Sequence, residues 1–143
     1  MCGIAGFVGR RERQLLEQMS DIITHRGPDD VGYFHNEEVG LANRRLSIID
    51  LETGHQPIHN EDKSVWVVYN GEIYNYLELR NELISKGYSF QSNSDTEVLL
   101  KAFVYWGVEA LNHLVGMFAF AIYDLKKNEI FLARDFFGIK PLY

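Results

Sequence analysis

An α+β sandwich is what this sequence predicts: mostly antiparallel sheets, with helices covering one side of a sheet and a second sheet covering the other. Three observations carry that expectation. Several strand-length runs, above all Val65-Trp66-Val67-Val68-Tyr69, are apolar without alternation, which demands burial on both faces. Strand signals come in neighbouring pairs joined by short turns, which favours antiparallel pairing over a doubly wound parallel sheet. Amphipathic helical segments lie between them.

The elements follow in order. Cys2-Gly3-Ile4-Ala5-Gly6-Phe7-Val8-Gly9 reads as a buried strand, with Gly at every third position permitting close backbone approach. Over 11–24, Leu15, Leu16, Met19, Ile22 and Ile23 fall on one helical face, as for a helix packed on a sheet. His25-Arg26-Gly27-Pro28-Asp29-Asp30 supplies turn chemistry, and short strands are predicted over 31–34, 39–45 and 46–49. Asn70-Gly71 follows the 65–69 strand directly and tolerates positive φ, so it reads as a strand end. A helix over 76–86 carries Leu79, Leu83 and Ile84 on one side and stops at Gly87. Ser94-Asp95-Thr96-Glu97 has the form of a capping box opening a further helix towards Gly107, with a short helix over 109–114 after it. Two last strands, 117–123 and 130–134, flank a polar turn.

Composition narrows the function. The chain has 143 residues, the size of one domain, with 46% hydrophobic and 24% charged residues, which excludes disorder and collagen-like repeats. A formal charge of -6 argues against nucleic acid, whose binding requires a basic patch. The longest apolar run, 115–123, is strand-length, so no membrane partner is expected. No basic segment leads into an apolar one at the N-terminus, and a cytoplasmic location is expected. The single Cys cannot form an internal disulfide or a thiolate zinc site on its own.

That Cys stands at position 2, where removal of Met1 would place a thiol and a free α-amine on one residue. An α-amine titrates near about 7.7 to 8.0, so a minority is neutral at pH 7 and can take the thiol proton, directly or through water. Such a nucleophile attacks an amide or ester carbonyl and needs donors for the oxyanion. Asn70-Gly71 is a candidate for those donors, and a plain tight turn is the simpler reading. Arg44 and Arg45 on one strand point to opposite faces, so at most one of them can grip a carboxylate in a pocket. Asp95 either complements the helix dipole or binds a substrate ammonium. Together these groups describe an amino acid with a side-chain amide. His55 and His59 are four apart, but Pro57 between them opposes a helical metal pair and no third ligand is near in sequence.

The chain resembles the N-terminal glutaminase domain of class II glutamine amidotransferases, in particular the asparagine synthetase branch. The resemblance rests on Met1-Cys2-Gly3-Ile4, His25-Arg26-Gly27-Pro28-Asp29, Arg45-Leu46-Ser47-Ile48-Ile49-Asp50, Gln56-Pro57, Asn70-Gly71-Glu72-Ile73-Tyr74-Asn75, Ser94-Asp95-Thr96-Glu97, Gly116-Met117-Phe118-Ala119-Phe120, and Arg134-Asp135 with Gly138-Ile139-Lys140-Pro141-Leu142-Tyr143. These stretches occur in family order and span the whole chain. The resemblance implies a four-layer αββα fold of N-terminal nucleophile (Ntn) hydrolase type.

It also implies roles. Cys2 would be the nucleophile and its α-amine the base, with the Asn70 side chain and Gly71 N–H as the oxyanion hole. Arg45 would bind the glutamine α-carboxylate, supported by the backbone of Leu46, Ser47, Ile48 and Ile49, while Glu72 and Asp95 hold the α-amino end. The implied product is ammonia for ATP-dependent amidation of aspartate, so L-glutamine and a synthetase domain or subunit are the expected partners, and a homodimer is compatible. No metal or cofactor is expected in this chain; ATP and Mg are expected only with a synthetase domain, whose SGGxDS-type loop has no counterpart here. The family's glutaminase domain continues past its PLY motif into further strands, so residues 1–143 are expected to be that domain, incomplete at the C-terminal end.

Overall fold

The computed structural model describes residues 2–46 and 54–143. Two antiparallel sheets pack face to face, with helices outside both. The first sheet has the order β1 (Gly3–Val8), β3 (Val39–Arg45), β2 (Asp30–His35). The second runs β4 (Ile58–His59), β5 (Val65–Ile73), β6 (Gly116–Asp124), β7 (Glu129–Arg134). Helix α1 (Arg13–Ile22) lies on β1 and β3, while α2 (Tyr76–Ser85) and α3 (Asp95–Trp106) cover the second sheet. The layers are therefore α1, sheet, sheet, α2 with α3, the predicted α+β sandwich. Among the described residues, no helix is long and apolar enough to cross a membrane.

Strand alternation assigns each residue of β5 and β6 to a face. Val65, Val67, Tyr69, Ile73, Phe118, Phe120 and Ile122 meet Leu79, Leu83, Val98, Leu99 and Phe103 of the helices. Val68, Ala121 and Tyr123 face the first sheet, against Val39 and Leu41. Helix α1 buries a narrower stripe than its apolar pattern predicts: Leu16 is fully buried, but Ile22 is 78% exposed. A ten-residue helix on a three-stranded sheet covers it through Leu16 and Ser20, leaving Leu15 and Ile22 on the flank.

Two strand boundaries differ from the sequence-based expectation. Asn70 and Gly71 do not end β5 but lie inside it, opposite Ala119 and Phe118. Gly71 is not among the described residues with positive φ. A side chain there would put Cβ 2.3 Å from the Met117 carbonyl oxygen and 2.8 Å from Phe118 Cα, so close strand approach is what requires glycine. Leu46, expected in a strand over 46–49, lies past the end of β3, and Ser47, Ile48 and Ile49 fall outside the described residues. The strand β4 is only two residues long and carries no sequence signal of its own. The 109–114 helix is a 3-10 segment, Gly107–His113.

Candidate active site

A cavity of 210 Å³ opens where β5 loses its neighbour. Strand β4 pairs with β5 only at Ile58↔Val67 and His59↔Trp66, so the next stretch of that edge must be satisfied by side chains. Tyr69 N–H donates to Gln56 Oε1 at 2.7 Å, and the Tyr69 carbonyl accepts from Asn43 Nδ2 at 3.2 Å. Ile73 N–H donates to Asp95 Oδ2 at 3.0 Å. The two-residue period aims Gly71 N–H towards the same edge as Tyr69 and Ile73. The pairing agrees: the backbone of Phe118, opposite Gly71, turns the other way and exchanges bonds with Asp135. Gly71 N–H therefore faces the cavity it lines, beside the buried Asn70 side chain.

The first sheet supplies the opposite wall. Gly3 pairs with Arg44, which brings Cys2 level with Arg45 at the end of β3. Alternation then separates the two arginines as expected. Arg44 turns to α1, where Nε donates to the Ser20 hydroxyl at 2.9 Å and a terminal nitrogen pairs with Asp21. Arg45 is buried and lines the cavity. The half-buried Cys2 thiol lies 3.9 Å from the Leu46 carbonyl oxygen, which accepts from it.

Helix α3 and the C-terminal turn close the rest. Ser94 caps α3, its hydroxyl accepting from Glu97 N–H at 3.2 Å, so Asp95 is the first helical residue and faces the cavity. Only half of the capping box forms. The buried Glu97 carboxylate accepts instead from Gln91 and Ser92 N–H and from the Ser92 hydroxyl, organising the loop before the helix. Asp135 accepts from the N–H of Phe118, Ile139 and Lys140, a turn that brings buried Lys140 to the cavity wall.

Burial dominates the electrostatics of the carboxyl end of the cavity. Burial pushes the Asp95 carboxyl above its usual range, against the opposing hydrogen bonds from Tyr69 O–H and the N–H of Ile73 and Thr96. Burial also raises Glu72, helped by the Asp95 charge and opposed by Lys140. Burial and then the neighbouring Asp95 push the Tyr69 phenol up, so it stays protonated and donates to Asp95 Oδ2 at 2.7 Å. Two carboxyls raised together form a subsite that an ammonium would relieve.

A family profile described as "Glutamine amidotransferase domain" matches residues 1–143. The chain belongs to that family. It is 51% identical over its whole length to asparagine synthetase [glutamine-hydrolyzing] 1 of Bacillus subtilis, and 43% identical to the asparagine synthetase [glutamine-hydrolyzing] of Zea mays. It covers 24% and 25% of those relatives, about a quarter of their length. Among solved structures it superposes on the glutamine phosphoribosylpyrophosphate amidotransferase of B. subtilis with TM-score 0.74 and 20% identity, covering 94% of this chain and 37% of that one. That likeness shows a shared fold, the Ntn type.

The cavity gathers every predicted site residue within the described part of the chain: Cys2, Arg45, Leu46, Asn70, Gly71, Glu72 and Asp95. Ser47, Ile48 and Ile49 fall outside the described residues. Sequence reasoning missed Tyr69, Gln56 and Lys140. Gln56 and Lys140 lie in stretches that carry the family resemblance but suggest no role by themselves, and Tyr69 sits on the core-facing side of β5, where its pattern reads as packing. Among the described residues no group of three or more His, Cys, Asp or Glu is placed to hold a metal ion. The two histidines take separate roles: His55 pairs with Asp30, and His59 Nδ1–H donates to the Asn60 carbonyl at 2.8 Å.

Proposed function

We propose that this chain hydrolyses L-glutamine to glutamate and ammonia through a thioester on Cys2. The observation that carries the reading is the single cavity in which a thiol, a buried guanidinium, two carboxyls and the Asn70-Gly71 pair converge. Each end of an amino acid amide has a partner of matching chemistry.

In this reading Met1 is removed, and the α-amine of Cys2 takes the thiol proton, directly or through water. Arg45 grips the substrate α-carboxylate, with the backbone from Leu46 through Ser47, Ile48 and Ile49 beside it. Glu72 and Asp95 take the α-ammonium. Sulfur attacks the side-chain amide carbon, and the oxyanion forms against the Asn70 amide and Gly71 N–H. The protonated amine returns its proton to the leaving nitrogen, ammonia departs, and a γ-glutamyl thioester remains. Water, deprotonated by the same amine, then releases glutamate and restores the thiol. No step calls on a metal or cofactor.

The relatives' names, glutamine-hydrolyzing asparagine synthetases, support a link between glutamine hydrolysis and asparagine synthesis; we propose that the ammonia goes to a synthetase region for ATP-dependent amidation of aspartate, with ATP and Mg confined to that region. We place the reaction in the cytoplasm, and a homodimer is a further proposal, read by sedimentation velocity. The central test is glutamate release from L-glutamine, with Cys2→Ala inactive and a glutamine-like diazoketone adding its mass at Cys2 in the parent chain alone. A well-folded parent chain that releases no glutamate and takes no adduct refutes the reading.

A further inference from the structure

Tyr69 is held at three points. Its N–H is fixed by Gln56, its carbonyl by Asn43 and its O–H by Asp95. Gln56 also donates to the Thr96 hydroxyl at 3.4 Å, tying the same strand residue to the first turn of α3. The ring itself is buried in the helix-side core. The two backbone bonds would serve any residue at this position, but a core-filling ring would not need the third, and phenylalanine would fill the space. The hydroxyl reaches out of that core to the edge of the cavity and meets the carboxylate at 2.7 Å.

Both Tyr69 O–H and Ile73 N–H land on one Asp95 oxygen, Oδ2. A carboxylate clamped through one oxygen has its plane set by its neighbours rather than by the substrate. Such preorganisation lowers the cost of binding. We propose that Tyr69 is a positioning residue for recognition of the substrate α-ammonium, holding the Asp95 carboxylate through its phenol O–H. This rests on the glutaminase reading above. Tyr69 does not touch the reacting amide in this scheme; it acts through Asp95. The other charged or titratable groups lining the cavity are Cys2, Arg45, Glu72, Tyr76 and Lys140.

The discriminating probe is glutaramic acid, which is glutamine without its α-amine. Kinetics are measured on the full chain, with glutaramic acid as competitor. A hydrogen bond to a charged group supports a rise of about tenfold in KM for L-glutamine in Tyr69→Phe, with kcat held. The inhibition constant of glutaramic acid should not move. Tyr69→Phe/Asp95→Asn should bind glutamine no worse than Asp95→Asn alone, because the hydroxyl has nothing left to position. Equal weakening towards both ligands, additive losses in the double variant, or loss of the cooperative melt in Tyr69→Phe each make Tyr69 a packing residue and overturn the inference. A parent chain that releases no glutamate defeats the glutaminase reading first, and this inference with it. An active parent with an indifferent Tyr69→Phe defeats this inference alone.

Discussion

The two faces of the sheet formed by β4, β5, β6 and β7 are built from different materials. The face towards α2 and α3 carries Val65, Val67, Ile73, Phe118, Phe120 and Ile122, large side chains locked into the helices. The face towards the first sheet carries Trp66 and Tyr123 at the end of the strands far from Asn70 and the smaller Val68, Ala119 and Ala121 nearer to it, and a buried Asn43 reaches across to the Tyr69 carbonyl. Large apolar area anchors the strand on one side. Smaller residues near Asn70 on the other let the first sheet come close enough to bring Cys2 and Arg45 to the cavity that Asn70 lines. Rigidity is supplied from the helix side, and the chemistry occupies the thin side, as a site on well-anchored strands requires.

If that division is right, substitutions on the two faces should separate stability from activity. Phe120→Ala, at 1% exposure in the helix-side core, should cost about 3–5 kcal/mol in urea unfolding. Val68→Ala on the inter-sheet face should cost about 2 kcal/mol, from the methyl groups lost. Equal costs would break the comparison. Asn70→Ala should lower kcat by about 10²–10³, the loss expected for one oxyanion donor. Its urea midpoint should move far less than that of Phe120→Ala, and a matched loss of stability would place Asn70 among the structural residues.

The same division explains what could be read in the sequence. Strand alternation is local, so opposite destinations for Arg44 and Arg45 follow from their adjacency, and the structure sends one to α1 and one to the cavity. The Ser94 cap is also local, and it forms. Pairing across the sheet is not local. Asn70-Gly71 reads as a turn because dipeptide chemistry says so, yet nine residues of β6 hold it in a strand, where Gly71 answers to the Met117 carbonyl. Tyr69 was hidden for a related reason: its ring follows the core pattern, and only its O–H departs from it. Glu97 gave half of a capping box, but its carboxylate serves a loop that no spacing rule identifies.

Helix α3 joins the two faces, since its body fills the core while its first residue serves the cavity. Ser94→Ala should therefore cost about 1 kcal/mol of stability through the lost cap. Because Asp95 follows directly, the KM for L-glutamine should rise in the same variant. A stability loss with unchanged KM would show that Tyr69 and Ile73 hold Asp95 without help from the cap.

The smallest effect concerns pH. Burial raises both Asp95 and Glu72 in the folded chain, so folding favours their protonated forms. For a raised carboxyl, that contribution to stability is complete below the ordinary carboxylate range and falls away as pH rises through the raised titrations. Bound substrate reverses the sign for these two groups, because its ammonium pairs with their ionised forms. The rise in Tm caused by L-glutamate should thus grow with pH across and just above the carboxylate range, while glutaramic acid, without the ammonium, should show no such growth. Glu72→Gln should flatten the L-glutamate response in part and Asp95→Asn in larger part, since Asp95 is the more deeply buried of the two. A response to L-glutamate that is flat with pH would mean that Glu72 and Asp95 do not meet the amine, and that the cavity recognises its ligand through Arg45.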